Sequence, residues 1–302
     1  MKDKYKYKGL FLAVLGPLLW GCSGVVAQNL FEYHHLNPTW LVSVRMFCSG
    51  ILLLGYGVVA KKKIFSIFNN KSDTIHLMLF SILGMTFVQL AYFMAISTGN
   101  AATATILQYL SPVIIIIYLA IRTLKLPQRI DSISVMIAIL GTVLLVTQGD
   151  LNSLSLPLDA VIWGILSAVA AAIYTLMPKA LLKKYGSIPI VGWAMLIGGI
   201  IVGLYYKIWK MMPHISLIAF IEILFVVIFG TMLAYLFFLQ SLTYISATQA
   251  SVLGSVEPLS ATILGILFLN ISFNIYGILG IIMIIGITFL QFISSKRAQI
   301  NI

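Results

Sequence analysis

The sequence predicts an all-α polytopic membrane protein: ten transmembrane helices arranged as two inverted five-helix repeats. Three observations carry that prediction. The first is composition. Of 302 residues, 61% are hydrophobic and only 9% charged, whereas soluble domains carry about a quarter charged residues. A chain this apolar cannot cover its surface in water. The second is a series of ten apolar runs of about 20 residues, each long enough to cross the hydrocarbon core. The third is a weak self-similarity between the two halves.

Taken in order, the runs span about residues 9–31, 38–60, 75–97, 101–121, 130–148, 158–180, 188–208, 216–240, 246–269 and 274–294. With no water in the bilayer core, each must satisfy its backbone internally, so each is expected to be helical. The connections are short and polar, among them EYHHLNP, STGN, QGDLNSLSLP, KKYGSIP and NISFN, and none can hold a soluble domain. The basic N-terminal stretch followed by apolar sequence resembles a signal peptide. The run from Gly9 to about Phe31 is too long for one, however, and no small-x-small cleavage site closes it.

The formal charge of +11 is a topology signal. Lys2, Lys4, Lys6 and Lys8 precede the first run, and Lys61, Lys62, Lys63 and Lys71 follow the second. Arg122, Lys125 and Arg129 follow the fourth, Lys179, Lys183 and Lys184 the sixth, and Lys296 and Arg297 the last. Lys207 and Lys210 alone lie in a connection on the other side. The positive-inside rule then puts both termini in the cytoplasm of a cell (inner, cytoplasmic) membrane. Basicity so distributed argues for a lipid bilayer as partner and against nucleic acid. Cys22 and Cys48 fall within apolar runs and read as packing residues.

Shifting the chain by 146 residues lays GMTFVQLAYFMAISTGNAATATILQYLSPV, from Gly84, over GTMLAYLFFLQSLTYISATQASVLGSVEPL, from Gly230, without a gap. Gly84 meets Gly230, Ala101 meets Ala247, and Pro112 meets Pro258. The shared order carries more weight than the identities: glycine, long helix, four-residue polar connection, Ala-rich start, mid-helix proline. Residues 1–148 form the first repeat and 158–294 the second, leaving 295–302 as a cytoplasmic tail. Five spans per half is an odd number, so the second half is inverted in the membrane, as in secondary transporters that alternate access about a midplane site.

These features, with LLWGCSGVVAQ in the first run, Arg45 in the second, and the paired NAATATILQYLSPV and SATQASVLGSVEPLS stretches, resemble an EamA-type member of the drug/metabolite transporter superfamily over essentially the whole chain. The resemblance implies export or uptake of small metabolites through a central cavity lined by helices 1, 3, 4, 6, 8 and 9. Many relatives carry a Leu-Gly-Glu turn after helices 4 and 9. Lys125 and Asn270 stand there in this chain, so no role of that acid carries over.

Within the runs, ionisable and polar residues are the candidate site. Glu257 lies near the bilayer midplane, where a charge costs roughly 2.5–3.5 kcal/mol, so it should face protein or water. Pro258 beside it frees a carbonyl in the preceding turn. Protonated Glu257 could donate to that carbonyl, and the ionised form could not. Glu257 therefore serves a proton or a cationic substrate group, or else it is a permanently protonated structural acid. Arg45, about 10 Å below the outer end of its helix, snorkels, anchors helices or binds an anionic group. Gln89, Gln108, Tyr109, Tyr174, Tyr235, Gln249 and Ser255 supply hydrogen-bonding groups for substrate or for neighbouring helices. Trp20, Tyr92 and Phe93 could form an aromatic wall. Pro17, Pro112, Pro178 and Pro258 read as kinks. Gly199 and Gly203 make a GxxxG step suited to close packing or to a homodimer.

The expected function is a secondary transporter moving a small organic metabolite (an amino acid, carboxylate, drug-like or similar solute) across the cytoplasmic membrane, with proton-coupled export as one mode. The alternatives are an intramembrane enzyme and a non-transporting assembly subunit. His34, His35, His76 and His214 all lie in or beside loops, no two aspartates share a helix core, and no Walker A sequence is present. No catalytic residues, metal or cofactor are therefore expected.

Overall fold

A computed structural model describes residues 2–124, 129–150, 154–242, 244–245, 250 and 253–300, with side chains described between residues 7 and 290. Among these residues every regular element is helical. Eight helices are long and apolar enough to cross a membrane: α1 (Lys2–Glu32), α2 (Pro38–Val59), α3 (Lys71–Thr98), α4 (Ala101–Thr123), α5 (Arg129–Thr147), α6 (Leu158–Leu176), α7 (Ser187–Tyr206) and α8 (Leu217–Ser241). Two apolar helices follow, α9 (Val256–Leu269) and α10 (Ile275–Ile300), with described apolar stretches shorter than the other eight. Residues 246–249 and 251–252, where the ninth run of the sequence begins, lie outside the described residues.

The polar connections owe their sequence to the helix ends they serve. The first N–H groups of a helix lack internal partners, and a side-chain oxygen supplies one. Asn37 accepts from Thr39 N at the start of α2, followed by Pro38 at a position where its missing N–H costs nothing. Asn70 caps α3, Asn100 caps α4 and Ser216 caps α8 in the same way. Outward faces carry exposed Leu204, Leu217, Ile263, Phe268 and Ile282, a surface suited to lipid rather than water.

α2 packs against α7, and α5 against α10. α3 and α4 both pack on α6, while α8 and α9 both pack on α1. α4 also meets α9. The α2–α7 contact is close: a Cβ added at Gly50 would lie 2.6 Å from Leu196 N, and one at Gly199 would lie 2.5 Å from Phe47 N. Ser43 Oγ donates to the Gly199 carbonyl at 2.8 Å. The GxxxG step is thus used within the chain, against α2, and a homodimer would need another face.

Three departures from regular helix recur in both halves. α3 widens into a π-helical turn at Phe80–Thr86, and α8 does so at Ile228–Leu233. In each a threonine donates to the carbonyl five residues back, Thr86 to Ser81 at 2.7 Å and Thr231 to Val226 at 2.8 Å. Left-handed residues end helices at Lys61 and Lys207, both at φ 52°, and at Leu124 and Asn270, at φ 52° and 53°. The prolines differ from simple kinks. Pro17 sits inside continuous α1. α4 breaks after Gln108 and resumes at Ser111, with Pro112 in the first turn of the second piece. Pro258 likewise lies in the first turn of α9, and Pro178 separates α6 from a short helix at Lys179–Tyr185.

Candidate functional site

Each half contributes to one cavity of about 400 Å³, within the range of small-molecule sites, about 300–1,000 Å³. Nine of the residues singled out from the sequence line it: Trp20, Arg45, Gln89, Tyr92, Gln108, Tyr109, Tyr174, Tyr235 and Glu257. Pro112 lines it as well, and Pro258 does not. Gln249 lies outside the described residues. The six helices expected from the resemblance all contribute, and α2 and α10 add Arg45 and Thr288.

The α4 break sets Tyr109 at the cavity. Pro258 has no N–H, so the carbonyl four residues earlier, at Gly254, loses its helical partner. The hydroxyl of Tyr109 donates to that carbonyl. Protonated Glu257, which the sequence offers as a possible donor to that carbonyl, makes no such bond among the described residues. The partner comes from the other half of the chain, 145 residues away, a distance no local reading reaches. Glu257 itself is 9% exposed and opens on the cavity. Its carboxyl makes no hydrogen bond or ion pair to another described residue.

Arg45 does not snorkel. It is 4% exposed and points into the bundle, where Nε donates to Thr231 Oγ1 at 3.2 Å and the guanidinium lies 4.2 Å from the Phe93 ring centre. Helix rotation decides between these outcomes, and the position of Arg45 along α2 does not reveal it. Phe93 is fully buried beneath Arg45 and is absent from the cavity wall. Tyr92 does line the cavity, and its hydroxyl sits 2.8 Å from Thr105 Oγ1. That threonine spends its proton on the Ala101 carbonyl, so Tyr92 is the donor.

Gln89 Nε2 donates to the Tyr235 hydroxyl at 3.2 Å, joining α3 to α8. Trp20 of α1 stands edge-on to Tyr235 at 5.0 Å and tilted against Phe238 at 5.3 Å, geometries that aromatic pairs favour. Tyr174 stacks on Phe80 of the α3 π-turn at 5.8 Å. Sequence reasoning missed Thr231, Phe238 and Thr288. A lone apolar-run threonine or phenylalanine carries no signal without the register of its neighbours.

The cavity wall continues to Thr175 and Leu242, near the ends of α6 and α8. At the opposite end of the bundle, Leu30, Phe93 and Ile96 are fully or almost fully buried. There Gln28 Oε1 accepts from the Ala101 N–H and Gln28 Nε2 donates to Glu32, both at 2.8 Å. Asn29 donates to Glu222 of α8 at 2.8 Å, and His34 lies 3.7 Å from the same carboxylate. Thr175 and Leu242 are exposed at one end, and the other is tied by polar side chains.

The model of the EamA-like transporter family matches residues 7–147 and again 158–293. An uncharacterized inner membrane transporter of Salmonella typhimurium, YicL, is 36% identical over 290 residues, covering 96% of this chain and 97% of the relative. An uncharacterized transporter of Clostridium kluyveri is 22% identical over 302 residues, covering 97% and 95%. A solved crystal structure with 13% identity shares the fold at a TM-score of 0.65, over 99% of each chain. With these matches across nearly its full length, the chain is a multi-pass membrane protein that belongs to the EamA-like transporter family.

Proposed function

We propose that this chain is a secondary carrier that moves a small organic solute across the cytoplasmic membrane by alternating access. The observation that carries the reading is the half-open cavity between the two halves. Among the described residues it holds one acid and one guanidinium amid aromatic and amide side chains, and is closed at one end. Its exposed end among the described residues, at Thr175 and Leu242, lies toward the end of α1 that carries the N-terminus. With both termini cytoplasmic, as the charge distribution favours, this is an inward-facing state.

Ten membrane-spanning helices in two inverted five-helix halves, residues 1–148 and 158–294, are the architecture this mechanism uses. The separate matches of one family model to 7–147 and 158–293 support it. So do the packing pairs, which map onto one another when the halves are exchanged: α3–α6 onto α8–α1, and α4–α6 onto α9–α1. The left-handed caps repeat at the 146-residue offset, Lys61 with Lys207 and Leu124 with Asn270, and the π-turns repeat within two residues of it. Glu257, which has no partner among the described residues and faces the cavity, is the group through which protons would couple to solute movement.

Purified protein reconstituted into liposomes tests both claims. Solute efflux driven by an imposed proton gradient is expected for the natural sequence, and Glu257→Gln is expected to lose the gradient dependence. Unchanged flux and pH response in that variant would remove Glu257 from coupling and leave transport in place. Comparing metabolites in medium and cells between deletion and overproducing strains would then identify the solute and its direction.

A further inference from the structure

Burying a cation in an apolar bundle is costly unless a partner compensates it. Arg45 is 4% exposed, and among the described residues no carboxylate lies within 4.0 Å of it. Its partners account for only part of the guanidinium. Nε is spent on Thr231, and one ring face is covered by Phe93. A side chain kept purely as an interhelical anchor would place its remaining N–H groups on protein acceptors. Those groups have none among the described residues and open on the cavity instead. What faces the cavity is therefore the end-on edge of the guanidinium, two parallel donors set for a planar oxyanion.

We propose that Arg45 is the anion-binding group of the cavity, and that its free edge takes the carboxylate of a monoanionic organic solute whose apolar body lies along Trp20 and Phe238. This rests on the carrier reading above and narrows its substrate class. With Glu257 protonated, charge count selects a monoanion, because Arg45 is the one Lys, Arg or His among the described lining residues. A dianion would leave a charge unmatched in a low-dielectric site. Walls of tryptophan, tyrosine, phenylalanine and leucine favour an aromatic or aliphatic body over a densely hydroxylated one. Thr231 and Phe93 hold the guanidinium plane from α8 and α3, so the cation is already oriented before solute arrives.

The test titrates the purified full-length protein in detergent with matched probes at millimolar concentration: 3-phenylpropionate, hexanoate and benzoate, their neutral amides, and phenylphosphonate as a dianion. Thermal midpoint and tryptophan fluorescence are the readouts. At least one carboxylate should stabilise the natural protein and bind about ten-fold to a hundred-fold more tightly than its amide. Arg45→Gln should abolish that preference, and Arg45→Lys, keeping charge without the fork, should retain part of it. The comparison of carboxylate with amide on the natural protein stands even if either variant misfolds. Absence of a carboxylate-selective response across the panel overturns the proposal, as does tighter binding of the phosphonate dianion. Flux confined to neutral or cationic solutes overturns it while leaving transport intact. Carboxylate-selective binding without flux supports the Arg45 site and counts against the carrier reading.

Discussion

The side chains of Gln89 and Tyr235 meet at 3.2 Å, and they stand 146 positions apart, the offset at which the two halves of the sequence superpose. If the halves are related as the inverted repeats proposed above, a hydrogen bond between equivalent positions lies on the axis that relates them. It maps onto itself when they exchange conformations, so it can persist while the bundle rocks. Its removal should cost stability without favouring either access state. Tyr235→Phe and Gln89→Leu are each expected to lower the thermal midpoint. The double variant should recover about 0.6 kcal/mol relative to the sum, the average for such bonds between membrane helices. Strict additivity in unfolding measurements would mean that the two side chains are not coupled.

Tyr109 and Pro258 should show a rescue. Tyr109→Phe strands the Gly254 carbonyl that Pro258 leaves without an N–H, at a cost of about 1–3 kcal/mol for a buried unsatisfied group. Pro258→Ala restores a helical N–H to that carbonyl. The double variant is therefore expected to be more thermally stable than Tyr109→Phe alone, while solute flux falls as the break closes into continuous helix. A double variant that melts below the single one would contradict this pairing.

The two π-turn threonines should differ in worth. Among the described residues Thr86 makes one side-chain hydrogen bond, to the Ser81 carbonyl, whereas Thr231 also accepts from Arg45 Nε. Thr231→Val strands a charged donor, costing about 1.5–3 kcal/mol, against about 0.5–1.5 kcal/mol for the neutral bond lost in Thr86→Val. Denaturation of the two purified variants side by side checks the order. Equal losses would place Arg45 on some other acceptor.

The closed end should open when its polar ties are cut. Gln28→Ala removes both the Ala101 N–H contact and the Glu32 contact, and Glu222→Ala removes those of Asn29 and His34. Each is expected to raise external labelling of a cysteine at Val88, a cavity-lining position, by about three-fold to ten-fold, as a bias of around 1 kcal/mol implies. The background carries Cys22→Ser and Cys48→Ser, and the reagent is a membrane-impermeant maleimide. Labelling that stays flat would exclude these bonds as the latch.

The positions of the spans were legible in the sequence because apolar length and flanking polar residues are local. Asn37, Asn70, Asn100 and Ser216 cap helices at the ends of the connections where they stand. Glu257 and Arg45 were legible as residues out of place in an apolar run. Their surroundings were not. Which way Arg45 turns depends on the rotation of α2 against α7, and the partner of the Gly254 carbonyl lies 145 residues away. The breaks at Pro112 and Pro258 looked like kinks because a proline announces the lost hydrogen bond without saying whether the helix bends or stops. The GxxxG step could not disclose that its occupant would be α2 of the same chain.

Arg45 has no twin. The position 146 residues on is Val191, buried and apolar, so the brace on the α8 π-turn is missing from the α3 π-turn. Two identical halves would make the inward and outward shapes mirror images of one energy. Every residue that breaks the match tilts that balance, and a single arginine fixed to one half tilts it in a set direction. For the alternating-access carrier proposed above, that inequality would give the empty protein a resting side, and solute binding would have to work against it.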